Sequence, residues 1–168
     1  MGYAAAKALT TGAHNNIFGR LAGKELTTGA YNNIMGQEAG KELTTGAYNN
    51  IMGYKAAYAG IMINAGYNNI FGREAGYNMT SGSNNNIMGY EAGNKLTTGG
   101  WNNLFGRLAG YNLTTGGYNN ILGTEAGKEL TSGNFNNIIG YRAAYAAIMT
   151  GNGYNNIIGR EAGYNMTS

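Results

Sequence analysis

Apolar positions recur along this chain in a fixed beat, and one beat is Asn32-Asn33-Ile34-Met35-Gly36-Gln37-Glu38-Ala39-Gly40-Lys41-Glu42-Leu43-Thr44-Thr45-Gly46-Ala47-Tyr48. The segment Tyr-Asn-Asn-Ile that joins one beat to the next, as at Tyr48-Asn49-Asn50-Ile51, is short and carries an aromatic and a β-branched side chain. It predicts a strand, and Thr-Thr-Gly predicts a turn. Between them Met35, Gly36, Ala39, Gly40 and Leu43 alternate with polar pairs, close to the i, i+4 spacing of one helical face. Two glycines inside a helix cost roughly 1 kcal/mol each relative to alanine. Where the pattern varies, however, the second glycine becomes alanine, as at Ala6, Ala57 and Ala144, and residues 4–9 and 142–149 are runs of good helix formers. The expected unit is therefore one short parallel strand and one short helix.

The beat repeats over the whole chain. Asn-Asn pairs begin at Asn15, Asn32, Asn49, Asn68, Asn85, Asn102, Asn119, Asn136 and Asn155, a step of 17 residues with two steps of 19. A period of this size marks a solenoid, in which stacked coils bury what no coil buries alone. A strand of four or five residues advances roughly 15 Å, and about ten helical residues return the same distance, so the chain can close a coil. The fold class expected is an α/β solenoid of about 17 residues per coil. The alternative is an all-β solenoid with glycine corners and side-chain ladders; the scarcity of β-branched residues in the return arm favours the mixed version.

A longer repeat overlies the short one. Residues 88–168 follow residues 1–81 closely, so the chain reads as a single body, 1–168, made of super-repeat 1–87 and an incomplete super-repeat 88–168. The expectation is either an end in mid-coil or a segment of a longer array. The coils beginning at Asn49 and Asn136 each carry two extra residues, which predicts a bulge once per super-repeat.

Composition narrows the function classes. Glycine is abundant (30 residues) and proline and cysteine are absent, yet 43% of residues are hydrophobic and 11% charged, which argues for folding over disorder. A net charge of +3 from scattered lysines and arginines makes no phosphate-binding stripe, so nucleic acid is not an expected partner. No apolar run approaches the ~20 residues of a membrane span. With one histidine, His14, and no cysteine, no triad or His/Cys metal cluster can form within one chain. The glutamates sit beside lysine or arginine as a solvated face. Neither enzyme activity nor a cofactor is expected.

Three sets of residues stand out as structural sites. The first asparagine of each pair forms an amide ladder from coil to coil. His14, Tyr31, Tyr48, Tyr67, Trp101, Tyr118, Phe135 and Tyr154 form an aromatic column, which stabilises a stack and could also meet sugar rings. Gly19, Gly36, Gly53, Gly72, Gly89, Gly106, Gly123, Gly140 and Gly159 mark a small-residue packing slot. Threonine doublets such as Thr97-Thr98 raise ice binding, although serine in the second place, as at Ser81 and Ser132, favours a capping role for the hydroxyl.

The string Asn85-Asn86-Ile87-Met88-Gly89-Tyr90-Glu91-Ala92-Gly93, followed by Leu96-Thr97-Thr98-Gly99, resembles the N-N-x-x-I-G-Y-x-A…T-T-G repeats of microbial and phage fibre proteins, and more distantly the repetitive heads of trimeric autotransporter adhesins. It departs by one residue fewer before the first glycine and an extra apolar residue before Thr-Thr. The resemblance implies an extracellular, cell-surface or virion fibre. Uncapped coil faces point the same way, because such ends pair with one another. The function expected is a self-assembling structural protein whose partner is itself; the alternative is a glycan-binding fibre module or an ice binder.

Overall fold

A computed structural model describes residues 2–60, 66–149 and 152–167. Nine three-residue strands occur in it, one per coil: β1 (Asn16–Phe18), β2 (Asn33–Met35), β3 (Asn50–Met52), β4 (Asn69–Phe71), β5 (Asn86–Met88), β6 (Asn103–Phe105), β7 (Asn120–Leu122), β8 (Asn137–Ile139) and β9 (Asn156–Ile158). They form one parallel sheet in the order β1 to β9. Each strand pairs in the same register with the next, Asn on Asn and Ile on Ile, with Leu104 taking the isoleucine place in β6. The 19-residue steps leave that register intact, since Asn50 still faces Asn69 and Asn137 still faces Asn156. The bulge predicted in the two longer coils lies largely outside the described residues. β5 straddles residues 87 and 88, so the sheet runs without interruption from one super-repeat into the next.

The coil is all-β, and the expected helix is absent among the described residues. In coil 32–48 the return arm is instead two consecutive four-residue turns. Ala39 N–H donates to the Gly36 carbonyl at 3.3 Å and Leu43 N–H to the Gly40 carbonyl at 3.1 Å. The amides a helix would spend on its own fourth-back carbonyls go to neighbouring coils: Glu38 N–H reaches the Arg20 carbonyl at 2.8 Å, and Gly40 N–H the Ala56 carbonyl at 2.9 Å. An isolated helix of about ten residues is marginal even with good propensity. A stack that offers such amides acceptors in the coils above and below overrides it. The alanine-rich arm follows the same path, with Ala147 N–H closing a turn on the Ala144 carbonyl and Ala144 N–H reaching the Ala162 carbonyl.

The glycines take on a different role as a result. Gly106 has φ +134 and its backbone lies so close to the next coil that an added Cβ would sit 2.5 Å from the Gly123 carbonyl oxygen. Backbone against backbone, not helix against helix, therefore sets the first slot. The second slot, at Gly110, has φ +57, which alanine tolerates at modest cost; Ala57 and Ala144 occupy it at φ 49 and φ 50. That explains the Gly/Ala alternation without any helix.

Inside the coil the side chains form a dry column. Asn85, Ile87, Ala92 and Leu96 are all fully buried, and their equivalents line up above and below them. Burying a side chain such as Ile87 or Leu96 contributes about 1.5–3 kcal/mol. That contribution exists only between neighbouring coils, so the stack rather than the coil is the folding unit.

Candidate functional site

The sheet carries its chemistry in columns, because a fixed register places equivalent side chains one above another. The inward amide column is the most constrained. Asn32 Nδ2 donates to Asn15 Oδ1 at 3.1 Å and to the Gly46 carbonyl at 2.9 Å, while Asn32 Oδ1 accepts the Asn49 N–H at 3.0 Å and Asn49 Nδ2 at 3.1 Å. Two donors and two lone pairs are thereby matched, the full capacity of a carboxamide. The same pattern continues through Asn68, Asn85, Asn102, Asn119 and Asn136 to Asn155. No buried side-chain nitrogen or oxygen among the described residues lacks a partner. A buried polar column is tolerable on those terms and no others.

The second asparagine of each pair makes an outward ladder. Asn33 Nδ2 donates to Asn50 Oδ1 at 2.7 Å, and Asn69 Nδ2 to Asn86 Oδ1 at 2.8 Å. Its donors point toward the carboxyl terminus, whereas the inward ladder's point toward the amino terminus. The two rows of amide dipoles therefore oppose one another. First threonines add a third row: Thr27 Oγ1 donates to the Thr44 carbonyl at 3.0 Å and Thr97 Oγ1 to the Thr114 carbonyl at 2.9 Å. These hydroxyls are engaged with backbone.

The aromatic column stands beside the outward ladder. Each of its residues has positive φ, from Tyr154 at 46° to Trp101 at 62°, so the chain kinks there and projects the ring from the edge of the sheet. Rings in neighbouring coils stack nearly parallel: His14 on Tyr31 at 4.7 Å, Tyr31 on Tyr48 and Tyr48 on Tyr67 at 5.0 Å, Trp101 on Tyr118 at 6.0 Å, and Tyr118 on Phe135 and Phe135 on Tyr154 at 4.9 Å. All eight predicted members thus lie in one file. One layer is missing: between Tyr67 and Trp101 the position belongs to Asn84, at φ 59.

No protein-family model, curated protein or solved structure matches this chain.

The return arm carries two further columns that sequence reasoning missed. Tyr58 stacks on Tyr77 and Tyr145 on Tyr164, both at 5.0 Å, and Lys41 Nζ meets the Tyr58 hydroxyl at 2.8 Å. That hydrogen bond holds the Lys41 ammonium above the usual lysine range. Beside it Tyr90 lies between the guanidinium groups of Arg73, at 5.6 Å, and Arg107, at 5.9 Å. Glu125, nearly buried, ties three coils together through Arg107 Nη1 at 3.0 Å and Arg142 Nε at 2.7 Å. The Arg142 hydrogen bond is the main cause that keeps its carboxyl below the ordinary glutamate range. The signal for these columns was present at 17-residue spacing, but the alternation of Arg, Gln, Tyr and Thr there has meaning only when the coils are stacked.

Among the described residues no group of three histidine, cysteine, aspartate or glutamate side chains could hold a metal ion, and no helix is long and apolar enough to cross a membrane. The nine first-slot glycines, Gly19 to Gly159, follow one another along the corner that ends each strand.

Proposed function

We propose that this chain is a structural protein that lengthens by stacking coil on coil, building a filament, sheath or fibre outside the cell or on a virion. The observation that carries this reading is the sameness of the eight strand junctions: every Asn-Ile-apolar strand meets the next in one register, so either face of any coil is complementary to the opposite face of any other. The outermost strands present that same face. β9, Asn156–Ile158, carries the same Asn-Ile-apolar pattern as the strands within the stack, so it offers a further coil the pairing that Asn137 N–H makes with the Asn155 carbonyl at 2.7 Å. Contacts of this head-to-tail kind generate open filaments, or rings if the rotation closes. The sheet's outer face adds lateral stickiness, with Phe18, Met35, Met88 and Ile158 exposed alongside the amide ladder. The extracellular location rests on the resemblance to fibre repeats.

The test is light scattering with negative-stain electron microscopy over a range of concentrations. Filaments, rings or sheets that grow with concentration are expected, and Asn156→Pro combined with Ile158→Lys, which removes a donor and places a charge on the edge strand, should block growth. A monomer at every concentration, or a discrete trimer, would overturn the reading. So would unimpaired growth of the edge-strand variant, which would show that the coil faces are not the contact.

A further inference from the structure

The single missing layer in the aromatic column leaves a slot, and we infer that this slot binds one pyranose ring of a saccharide, of the kind whose equatorial hydroxyls leave C–H groups on both faces. Its walls are Tyr67 and Trp101, two coils apart, and neighbouring rings in the file lie 4.7 to 6.0 Å apart. A ring entering at the level of Asn84 therefore meets one aromatic face above and another below at ordinary stacking distance. Asn69, Asn86 and Asn103 form its polar side, and the cleft measures about 310 Å³. That lies at the small end of the ~300–1,000 Å³ range of ligand sites and suits a single ring.

Two observations choose the chemistry. Both walls are exposed aromatic rings, Tyr67 at 62% and Trp101 at 56%, and each is held in place without any ligand by stacking on its neighbour away from the slot, Tyr67 on Tyr48 at 3° and Trp101 on Tyr118 at 2° between ring planes. The polar side is amide: Asn69 donates one Nδ2 hydrogen to Asn86, and Asn86 donates one to Asn103, which leaves each with a second amide hydrogen at the slot. The Asn84 carboxamide itself makes no hydrogen bond among the described residues, although its backbone N–H is held by the Gly66 carbonyl at 3.0 Å. A flat hydrocarbon would leave these donors and acceptors unanswered, whereas hydroxyls answer both kinds. No charged side chain lines the cleft, which disfavours phosphate or carboxylate ligands.

The same coil interrupts the return-arm column with Asn94, between Tyr77 and Tyr111, and the contrast is instructive. There the gap is bridged from within: Asn94 Nδ2 donates to the Glu74 carbonyl at 3.2 Å and Asn78 Nδ2 to the Asn94 carbonyl at 3.1 Å. The slot at Asn84 has no such bridge. It also opens sideways from the stack, so it stays accessible whether or not coils add at the ends.

Trp101 is the only tryptophan of the chain, so its fluorescence reads this slot directly. Titration of the whole chain with cellotetraose, whose β-linked glucose units expose C–H on both faces, is expected to give a saturable change in emission. Asn84→Tyr restores the file; since Tyr31, Tyr48 and Tyr67 already hold φ of 58–59°, the variant keeps the fold. It should lower the affinity by about tenfold or more, which corresponds to ~1.4 kcal/mol, while circular dichroism stays unchanged. Absence of a saturable response in the parent chain would overturn the proposal. An equal response in Asn84→Tyr would overturn it too, by locating binding on the exposed rings rather than in the slot. A response to p-cresol with none to cellotetraose would show that the slot takes flat aromatics instead of sugars.

Discussion

Replacing Gly106 by alanine tests whether coil stacking is limited by backbone approach. The new methyl would lie 2.5 Å from the Gly123 carbonyl oxygen and 2.6 Å from its carbon, and both atoms belong to main chain that is hydrogen-bonded on either side. Holding alanine at φ +134 costs about 1–3 kcal/mol, and relieving the overlap by parting two coils costs about 1–3 kcal/mol more. The control is Gly110→Ala four residues on. There φ is +57, the nearest atom is the end of a flexible side chain, Leu104 Cδ2 at 3.2 Å, and alanine already stands in the equivalent place at Ala57 and Ala144. Its cost is about 1 kcal/mol, the left-handed penalty less the entropy that alanine removes from the unfolded chain. The expected difference of roughly 1–5 kcal/mol converts, at about 2 kcal/mol per molar urea, to a gap of about 0.5–2.5 M between the unfolding midpoints of the two variants. Urea titrations followed by circular dichroism would measure it. Equal midpoints for Gly106→Ala and Gly110→Ala would refute the argument that the first glycine slot is set by the carbonyl of the next coil.

Three further outcomes follow from the columns. Asn85→Ala strips the acceptor from Asn102 N–H and Nδ2 and the donor from the Gly99 carbonyl; at about 1–3 kcal/mol per orphaned buried group, a loss of roughly 3 kcal/mol or more is expected in the same titration. Asn84→Tyr adds two ring contacts and should raise the urea midpoint by the equivalent of about 1–2 kcal/mol, whereas Tyr118→Ala should lower it by a similar amount. Because the Glu125 carboxyl is held below its ordinary range mainly by Arg142, its stabilising effect is complete above about pH 4.5 and is lost as the pH falls through the lower folded-state value. Glu125→Gln should therefore flatten the acid limb of a stability–pH curve measured between pH 2 and 6.

How far these features can be read from residues alone depends on whether they live within a coil or between coils. The strand was legible but reads as beginning two residues early, on Tyr31-Asn32-Asn33-Ile34 where it runs Asn33–Met35, because Tyr31 at φ 59 is a kink and not extended backbone; the file of rings from His14 to Tyr154 was legible because aromatic residues recur in one place. The arm was misread because two consecutive four-residue turns bring Ala39 and Leu43 inward at a spacing of four, which is also the spacing of a helical face. Gly40 or Ala57 in the second slot likewise reads as close helix packing until φ near +50° is seen. The break at Asn84 was visible as an aromatic column with one absent member, but its consequence, two ring faces with a gap between them, requires the coil spacing. Tyr90 between Arg73 and Arg107 could not be read at all, since each residue alone is an ordinary surface side chain.

Consider finally a pulling force along the stack. Within one junction the hydrogen bonds of strand, turns and amide ladders are loaded side by side, so they share the load and must fail together. Successive junctions are loaded in series, so the weakest of them sets the strength of the rod. The layer that holds both Asn84 and Asn94 shows no ring stack to either neighbour in either column among the described residues, and keeps as aromatic ties those of Tyr90 to the two arginines and that of Lys95 to the Tyr111 ring. The layer that opens a slot for a ligand is thus also the layer at which a tensioned rod parts, and a ring seated there would act as a splint across it.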